Sequence, residues 1–311
     1  MNRGNKNLQG WGARVSEDEV VLLLASFAAA LSLCLRWWAK LLRSRQGNRG
    51  QTEFLILFLA PFAALAGVLF IISVAGSGDV RGVASYTFLY CVLGTAWFMG
   101  AARLMENVGI SFRDDAVERR NPAAAIIILA AMAAHALLYG CANIGNGPGW
   151  WTVVAAASLG SGAWFFLWLL VERTCAVSET ITVERDTAAA IRLGGYALAM
   201  GLVCWRGAAG DWTSLIQTVI EFAAAWPLLP LTLAAVLVEK LMAGAASELR
   251  ANRALAALIA AAYLSAGVAG VWFAGPLPHN PVYDYLDAPP TYFPGIFHAP
   301  DINPNTGKPT Q

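Results

Sequence analysis

The sequence predicts an all-α integral membrane protein, and two observations support that prediction. Of its 311 residues, 58% are hydrophobic and only 13% are charged, and the mean hydropathy is +0.55. Soluble globular domains carry about 25% charged residues. The chain also contains repeated uncharged stretches of about 20 residues, the length that crosses about 30 Å of hydrocarbon as an α-helix.

Eight such stretches predict about eight transmembrane helices. The opening of the chain, residues 1–18, is polar, so the first apolar stretch lies too deep for a cleaved signal peptide and is interpreted as a retained span. A net charge of +1 with distributed basic residues argues against binding to nucleic acid, and the hydrophobic composition makes a lipid bilayer the expected partner. The predicted spans are residues 19–38, 53–75, 84–105, 122–142, 150–171, 187–206, 212–238 and 254–274.

The helices recur in a repeated pattern. In three copies an apolar helix ends in a glutamate, a polar turn follows, and an asparagine or aspartate opens an alanine-rich helix. The glutamates and the openers recur with the same, nearly constant spacing. A fixed period of this kind indicates repeated supersecondary units. The residues are Glu106, Glu172 and Glu239, and Asn121, Asp186 and Asn252.

The first two helices resemble a fourth, diverged copy that carries Lys40 in place of the glutamate. The sequence therefore predicts four tandem helical hairpins. Because each hairpin has two spans, successive hairpins enter the membrane in the same orientation. We divide the chain into an outer N-terminal segment, two membrane modules of two hairpins each, and an outer tail rich in proline and aromatic residues. These are residues 1–18, 19–142, 143–274 and 275–311.

The distribution of basic residues predicts the orientation. Fifteen of the 21 lysine and arginine residues lie in the hairpin turns or the adjoining helix ends, and six lie on the opposite side. Short loops with more lysine and arginine stay in the cytoplasm. We therefore expect cytoplasmic hairpin turns and both termini on the outer side.

The openers Asn121, Asp186 and Asn252 have two interpretations. Their side chains can cap the alanine-rich helices, and Pro122 suits the first helical position after Asn121. Alternatively, parallel helix N-termini that converge on one face can bind an anion or a lipid headgroup, because each carries a partial positive charge.

The glutamates Glu106, Glu172 and Glu239 also have two interpretations. A basic residue lies within three positions of each, so a local ion pair or a bond across the turn is the simpler explanation. The basic residues are Arg103, Arg173 and Lys240. Alternatively, the three carboxylates line a polar path for an ion.

Glu221 and His135 are the polar residues that stand deep in predicted spans. An ionisable group within the bilayer is a functional candidate, so both are candidates for the polar path. In the other interpretation the long span from Asp211 to Leu241 lets Glu221 reach the outer interface, and His135 is a hydrogen-bonded packing residue. Arg192, six residues into its helix, is expected to extend to the cytoplasmic surface.

The alanine-rich helices have small residues at three- and four-residue spacing, which lets membrane helices approach closely. We expect them to be inner helices or an interface with a partner. The five cysteines form no C-x-x-C motif, and no sequence motif for catalysis, nucleotide binding or metal binding is found. The sequence therefore predicts no enzyme activity, no cofactor and no metal site.

The tail from Gly275 is rich in proline and aromatic residues and has no helical periodicity. Aromatic side chains contribute most to many protein interfaces. We therefore expect the tail to contact a partner on the outer face. The candidate contact residues are Tyr283, Tyr285, Tyr292, Phe293 and Phe297.

The repeated hairpin, with its asparagine or aspartate followed by "AAAI" and then by "LGGYALAMGL", resembles the YjfL-like family of small bacterial inner-membrane proteins of unknown function. The resemblance covers about residues 85–275 well and 19–76 poorly. It implies a multi-pass protein of the bacterial inner membrane and a link to envelope maintenance. The family supplies no catalytic residues to transfer to this chain.

These observations favour a non-catalytic membrane protein that acts as a scaffold or accessory subunit of a larger assembly, with other membrane subunits or a second copy of itself as partners. The alternative is a transporter or channel for a small ion or lipid between the repeats, for which Glu221, His135 and the three glutamates would supply the polar path.

Overall fold

The computed structural model describes residues 16–44 and 51–283, and within these ranges the chain is helical and contains no β-strand. Short 3-10 and π segments and loops join the helices. The α-helices are α1 Glu17–Ser44, α2 Gln51–Ala75, α3 Ala84–Leu104, α4 Pro122–Cys141, α5 Trp150–Cys175, α6 Val177–Thr182, α7 Thr187–Ala208, α8 Leu215–Glu221, α9 Leu228–Ala243, α10 Ser247–Arg250 and α11 Arg253–Phe273.

Seven of the helices in the described ranges are long and apolar enough to cross a membrane. The eighth predicted span, residues 212–238, is not one continuous helix. It consists of two segments, Leu215–Ala225 (α8 and the 3-10 helix after it) and Leu228–Ala243 (α9), which pass the same test only together and are bent by 44° at the break between them. Pro227 lies in the break and Pro230 in the first turn of α9, where a missing backbone N–H costs least.

The small-residue helices α4 and α7 form the centre of the bundle, and α7 lies between α4 and α11. A Cβ added at Gly201 of α7 would lie 2.8 Å from the Cβ of Ala134 in α4. On its other side, a Cβ at Gly195 would lie 2.6 Å from the Cα of Ala260 in α11. The backbones therefore touch, as the small residues predicted.

The other helices pack around this centre, and bulky side chains with one polar atom anchor them. The indole of Trp164 in α5 donates to the carbonyl of Ala197 in α7 at 2.9 Å, and the hydroxyl of Tyr139 in α4 donates to the carbonyl of Tyr90 in α3 at 3.0 Å. Each bond satisfies the polar atom of a buried aromatic ring. Helices α1, α2 and α3 pack on the α4 side of the bundle, and α9 packs against α5 and α7.

Large apolar side chains cover much of the outer surface of the bundle. They occur on α1, α2, α8, α9 and α11, and include Leu24, Phe70, Ile216, Leu241 and Phe273. Contiguous apolar surface of this kind indicates a membrane or a protein partner.

The segments that follow α2, α4, α7 and α11 are hydrogen-bonded to one another. These four helices therefore end on the same side of the bundle and run in the same direction. The amide of Ser77 donates to the carbonyl of Asn143, and that of Gly210 donates to the carbonyl of Ile144. The amide of Asp211 donates to the carbonyl of Pro278. We call this the loop end of the bundle, comprising residues 76–82, 142–149, 209–214 and 274–283, and the opposite end, with Asn121, Asp186 and Asn252, the cap end.

Candidate functional site

The three openers cap their helices as predicted. The Asn121 carboxamide oxygen accepts from the amide of Ala123 at 3.0 Å. In the same way Asp186 accepts from the amide of Ala189 and Asn252 from that of Leu255, both at 3.0 Å. The capping interpretation is therefore confirmed.

The turns before α4 and α7 share one conformation. Arg120 and Arg185, each just before a cap, have positive φ angles of 52° and 56°. The amide of Asn121 bonds the carbonyl six residues earlier, and so does that of Asp186. This close match supports the repeat. The third turn is different, because Ala251 before Asn252 has an ordinary helical φ of −78°.

Each of the first two caps is covered by the turn of the next repeat, which lies before the next cap in the chain. Asn121 is fully buried, and its side-chain nitrogen Nδ2 donates to the carbonyl of Ile181 at 2.7 Å. Asp186 accepts from the Arg250 guanidinium at 3.3 Å. Asn252 is exposed. The cap residue of α4 is thus buried, that of α7 is half-buried and that of α11 is exposed, so the three caps lie in different environments. Binding of an anion or a lipid headgroup at these N-termini stays a prediction.

The three repeated glutamates lie in three different environments. Glu106 pairs with Arg103, the local ion pair that was expected. Glu172 accepts from the amide of Ser178 at 2.7 Å and from its hydroxyl at 2.6 Å, which is a bond across the turn. Both carboxylates are therefore bonded within their own hairpin.

Glu239 makes a buried ion pair that the sequence did not predict. Its two oxygens accept from Nε and Nη2 of Arg192, both at 2.8 Å. The Arg192 side chain is 2% exposed and that of Glu239 is 8% exposed. The expectation that Arg192 extends to the surface is wrong, and so is the expected pairing of Glu239 with the adjacent Lys240. The bidentate geometry compensates each charge for the loss of water.

Two tyrosines lie beside this ion pair. The Tyr196 hydroxyl is 2.9 Å from that of Thr232 in α9, and the Tyr196 ring packs edge-on against Tyr263 of α11, with centroids 6.0 Å apart. The Tyr263 hydroxyl is buried and has no hydrogen-bond partner within the described residues. The polar cluster thus joins α7, α9 and α11 near the cap end.

His135 is a packing residue in this structure. It is 1% exposed, its Nδ1 lies 2.9 Å from the carbonyl of Ala131, and its ring packs edge-on against Trp164 at 4.8 Å. Its Nε2 has no partner within the described part of the chain. The aromatic rings around it do not form a polar path.

Glu221 is the last residue of α8, four residues before the first segment of the broken span ends at Ala225, and it lies near the loop end. It accepts from the Gln217 side chain at 2.9 Å and lines a small cleft that is open to the surface. Other polar residues in the lining are Asn146, Thr152, Asp211 and Thr218. Glu221 therefore lies near one end of the bundle, and its location at the outer interface stays a prediction.

Asp211 organises the loop end, although the sequence did not single it out as a site residue. One oxygen accepts from the amide of Asn146 at 2.7 Å, and the other accepts from the amide of Asn280 and lies 3.0 Å from Nδ1 of His279. Arg206, which is buried, donates to the carbonyls of Ala274 and Gly275. The segment after α11 is thereby bound to two loops. Asn146 and Asp211 are separated by one repeat of the sequence. This spacing is the sequence feature that could have identified them as a pair.

The tail candidates are mostly outside the described residues. Tyr283 is the last residue described and lies in a short 3-10 turn at the loop end. Tyr285, Tyr292, Phe293 and Phe297 lie beyond it. Within the described ranges, no group of three or more His, Cys, Asp or Glu residues is placed to hold a metal ion.

Comparisons of the chain with protein families, with curated proteins and with solved structures gave no match.

Proposed function

We propose that the chain is a multi-pass protein of the bacterial inner membrane that acts as a structural subunit or scaffold, and not as an enzyme. The observation that supports this most directly is how the candidate polar residues are used. Glu106, Glu172, Glu239 and His135 are each engaged in an ion pair, a hydrogen bond or packing within the bundle. They serve the architecture of the bundle instead of forming one site.

The proposal includes four hairpins in the same orientation across the membrane. The matched turns before α4 and α7, the shared direction of α2, α4, α7 and α11, and the exposed apolar belt all support it. The excess of lysine and arginine at the cap end favours a cytoplasmic position for that end. The resemblance to the YjfL-like family supports the bacterial inner membrane and a role in envelope maintenance.

The test is a search for a stable partner in native membranes. The tagged chain, extracted in mild detergent, is expected to co-purify with a membrane protein in fixed ratio, and the level of that protein should fall when the gene is deleted. A truncation after Tyr283 keeps the segment bound to Asp211 and removes only the remaining tail. If the tail is the contact, this variant should fold normally and lose the partner.

A second candidate, transport of a small ion or lipid, is favoured by one observation. The α8–α9 span is broken between Ala225 and Leu228, and Glu221, in the first of its two segments, lines a polar cleft. Broken helices at such clefts hold substrate in many transporters. Flux in proteoliposomes that is lost in Glu221→Gln but kept in the matched control Glu106→Gln would replace the scaffold proposal with this one.

A further inference from the structure

Helix α1 is longer than the hydrocarbon core of a bilayer, and its basic residues lie in the part that extends beyond that core. Its 28 residues measure about 42 Å along the axis, against about 30 Å of hydrocarbon. Acidic residues occupy its first turn, and the next charged residue is Arg36, about 29 Å from Glu17. In a membrane-inserted chain Arg36 therefore lies at the boundary of the hydrocarbon, and α1 continues past it to Ser44.

Three basic residues share one side of this end of α1. Arg36, Lys40 and Arg43 are spaced by four and three residues, which places them on the same side of a helix. Lys40 is 31% exposed and lies 3.7 Å from the Glu118 carboxylate. Arg36 and Arg43 are exposed, and neither side chain forms an ion pair or a hydrogen bond with another residue in the described ranges. Two guanidinium groups are thus available to an anion.

Uncovered apolar side chains lie directly beside these two arginines. Leu35 precedes Arg36 and Leu42 precedes Arg43, and the two leucines are 57% and 49% exposed. Arginine side chains near the end of a membrane helix reach the headgroup level while their stems stay on apolar surface. Cations next to exposed leucines at this depth match a molecule that has both an anionic group and a hydrocarbon chain.

The other three hairpins neutralise most of their positive charge within the chain. Residues 36–53 include five basic residues and one acidic residue, a net charge of +4. The turns and adjoining helix ends of the other hairpins, residues 103–121, 172–192 and 239–253, have net charges of 0, −1 and +1. Several of their basic residues pair with carboxylates, as Arg103 does with Glu106 and Arg119 with Asp115. The first hairpin therefore keeps the largest positive charge for an anion from outside the chain.

We propose that the exposed surface at the end of α1 binds the headgroups of anionic phospholipids on the cap side of the membrane. The surface consists of Leu35, Arg36, Lys40, Leu42 and Arg43. The lipid phosphate accepts hydrogen bonds from the guanidinium groups, and the acyl chains cover the leucines. Each basic residue near an anionic membrane surface strengthens binding about fivefold. This inference rests on the proposed insertion of the chain in a membrane.

Lipid titration of the purified full-length chain tests the proposal. The chain in detergent is titrated with phosphatidylglycerol or with phosphatidylcholine, and native mass spectrometry counts the bound lipid molecules. Phosphatidylglycerol should bind roughly tenfold more tightly, because phosphatidylcholine has no net charge. Equal binding of the two lipids would overturn the proposal. Inorganic phosphate that displaces phosphatidylglycerol at equal concentration would also overturn it, because the site would then recognise a free anion.

Two arginine variants assign the lipid preference to this surface. Arg36→Gln with Arg43→Gln should weaken phosphatidylglycerol binding by roughly tenfold or more and leave phosphatidylcholine binding unchanged. Arg36→Lys with Arg43→Lys keeps both charges and should keep most of the affinity.

The matched control is Arg103→Gln with Arg119→Gln, which removes two charges at the cap end that are already paired. It should change the affinity by less than about twofold. An equal loss in this control would contradict the proposal, because the preference would then follow total charge.

A protein partner at the same surface would give a different result. If the glutamine variant lost a co-purified membrane protein but bound phosphatidylglycerol normally, the surface would belong to that protein and the proposal would be wrong. The lipid titration uses the purified chain alone. Its failure therefore leaves the co-purification test of the proposed function unaffected, and the two failures are distinguishable.

Discussion

Helices α7 and α11 are two copies of one repeated sequence, and the fold treats them differently. Helix α7 is buried between α4 on one side and α11 on the other, whereas α11 packs against α7 and leaves its opposite face open. Arg192 in α7 is 1% exposed, and the corresponding residue one repeat later, Leu258, is 68% exposed. The same repeat position thus holds a buried charge in one copy and an apolar surface residue in the other.

The comparison shows which features of a helix depend on its position in the array. Glycine and alanine faces are kept in both helices, because both take part in close helix contacts. Charge is kept only where a neighbour can compensate it, as Glu239 of α9 does for Arg192. Among the described residues, α11 has no such neighbour on its open face and presents apolar residues there.

The largest expected effect comes from breaking the ion pair in the buried copy. Glu239→Gln should destabilise the chain by about 3–5 kcal/mol, because it leaves the Arg192 guanidinium buried without a counter-charge. The free energy of unfolding, measured by titration with a denaturing detergent, gives the value. Glu106→Gln is the matched control at the same repeat position, and should cost about 0–1 kcal/mol because its pair with Arg103 is partly exposed.

A double variant tests whether the unpaired charge causes the loss of stability in Glu239→Gln. Arg192→Met with Glu239→Leu should recover most of the stability lost in Glu239→Gln, because no charge is left unpaired. A Glu239→Gln variant as stable as the unmodified chain would show that Arg192 reaches water or another acceptor, contrary to the geometry.

The second-largest expected effect comes from substitutions on the small-residue faces of α7 and α11. Gly195→Leu should cost about 1–3 kcal/mol, because a Cβ there would lie 2.6 Å from the Cα of Ala260 and the backbones of α7 and α11 must separate. Ala261→Leu places the same side chain at the corresponding position one repeat later, on the open face. In dilute detergent, where any dimer has dissociated, it should leave the thermal midpoint unchanged. Equal losses in the two variants would mean that α11 is covered within the single chain.

Much of this architecture follows from local sequence, and the remainder depends on distant contacts. The spans follow from apolar length, and the caps follow from side chains that bond amides two or three residues away. The ion pair of Arg192 and Glu239 and the bonds of Asp211 to Asn146 and Asn280 instead join positions on different helices and loops, far apart in the chain. Helical periodicity carries no signal for such pairs. The sequence analysis also missed the break at Pro227, because the stretch is apolar enough for one continuous span.

The smallest effect compares the caps at the starts of α4 and α11. Asn121→Ala should cost about 1–2 kcal/mol, since it removes both the cap and the buried bond to Ile181. Asn252→Ala should cost about 0.5–1 kcal/mol, because its cap is exposed and no turn among the described residues covers it. Thermal unfolding of both variants beside the unmodified chain measures the difference. A larger loss for Asn252→Ala than for Asn121→Ala would indicate that the α11 cap carries a contact outside the described chain, and a loss that depends on protein concentration would assign that contact to a second copy.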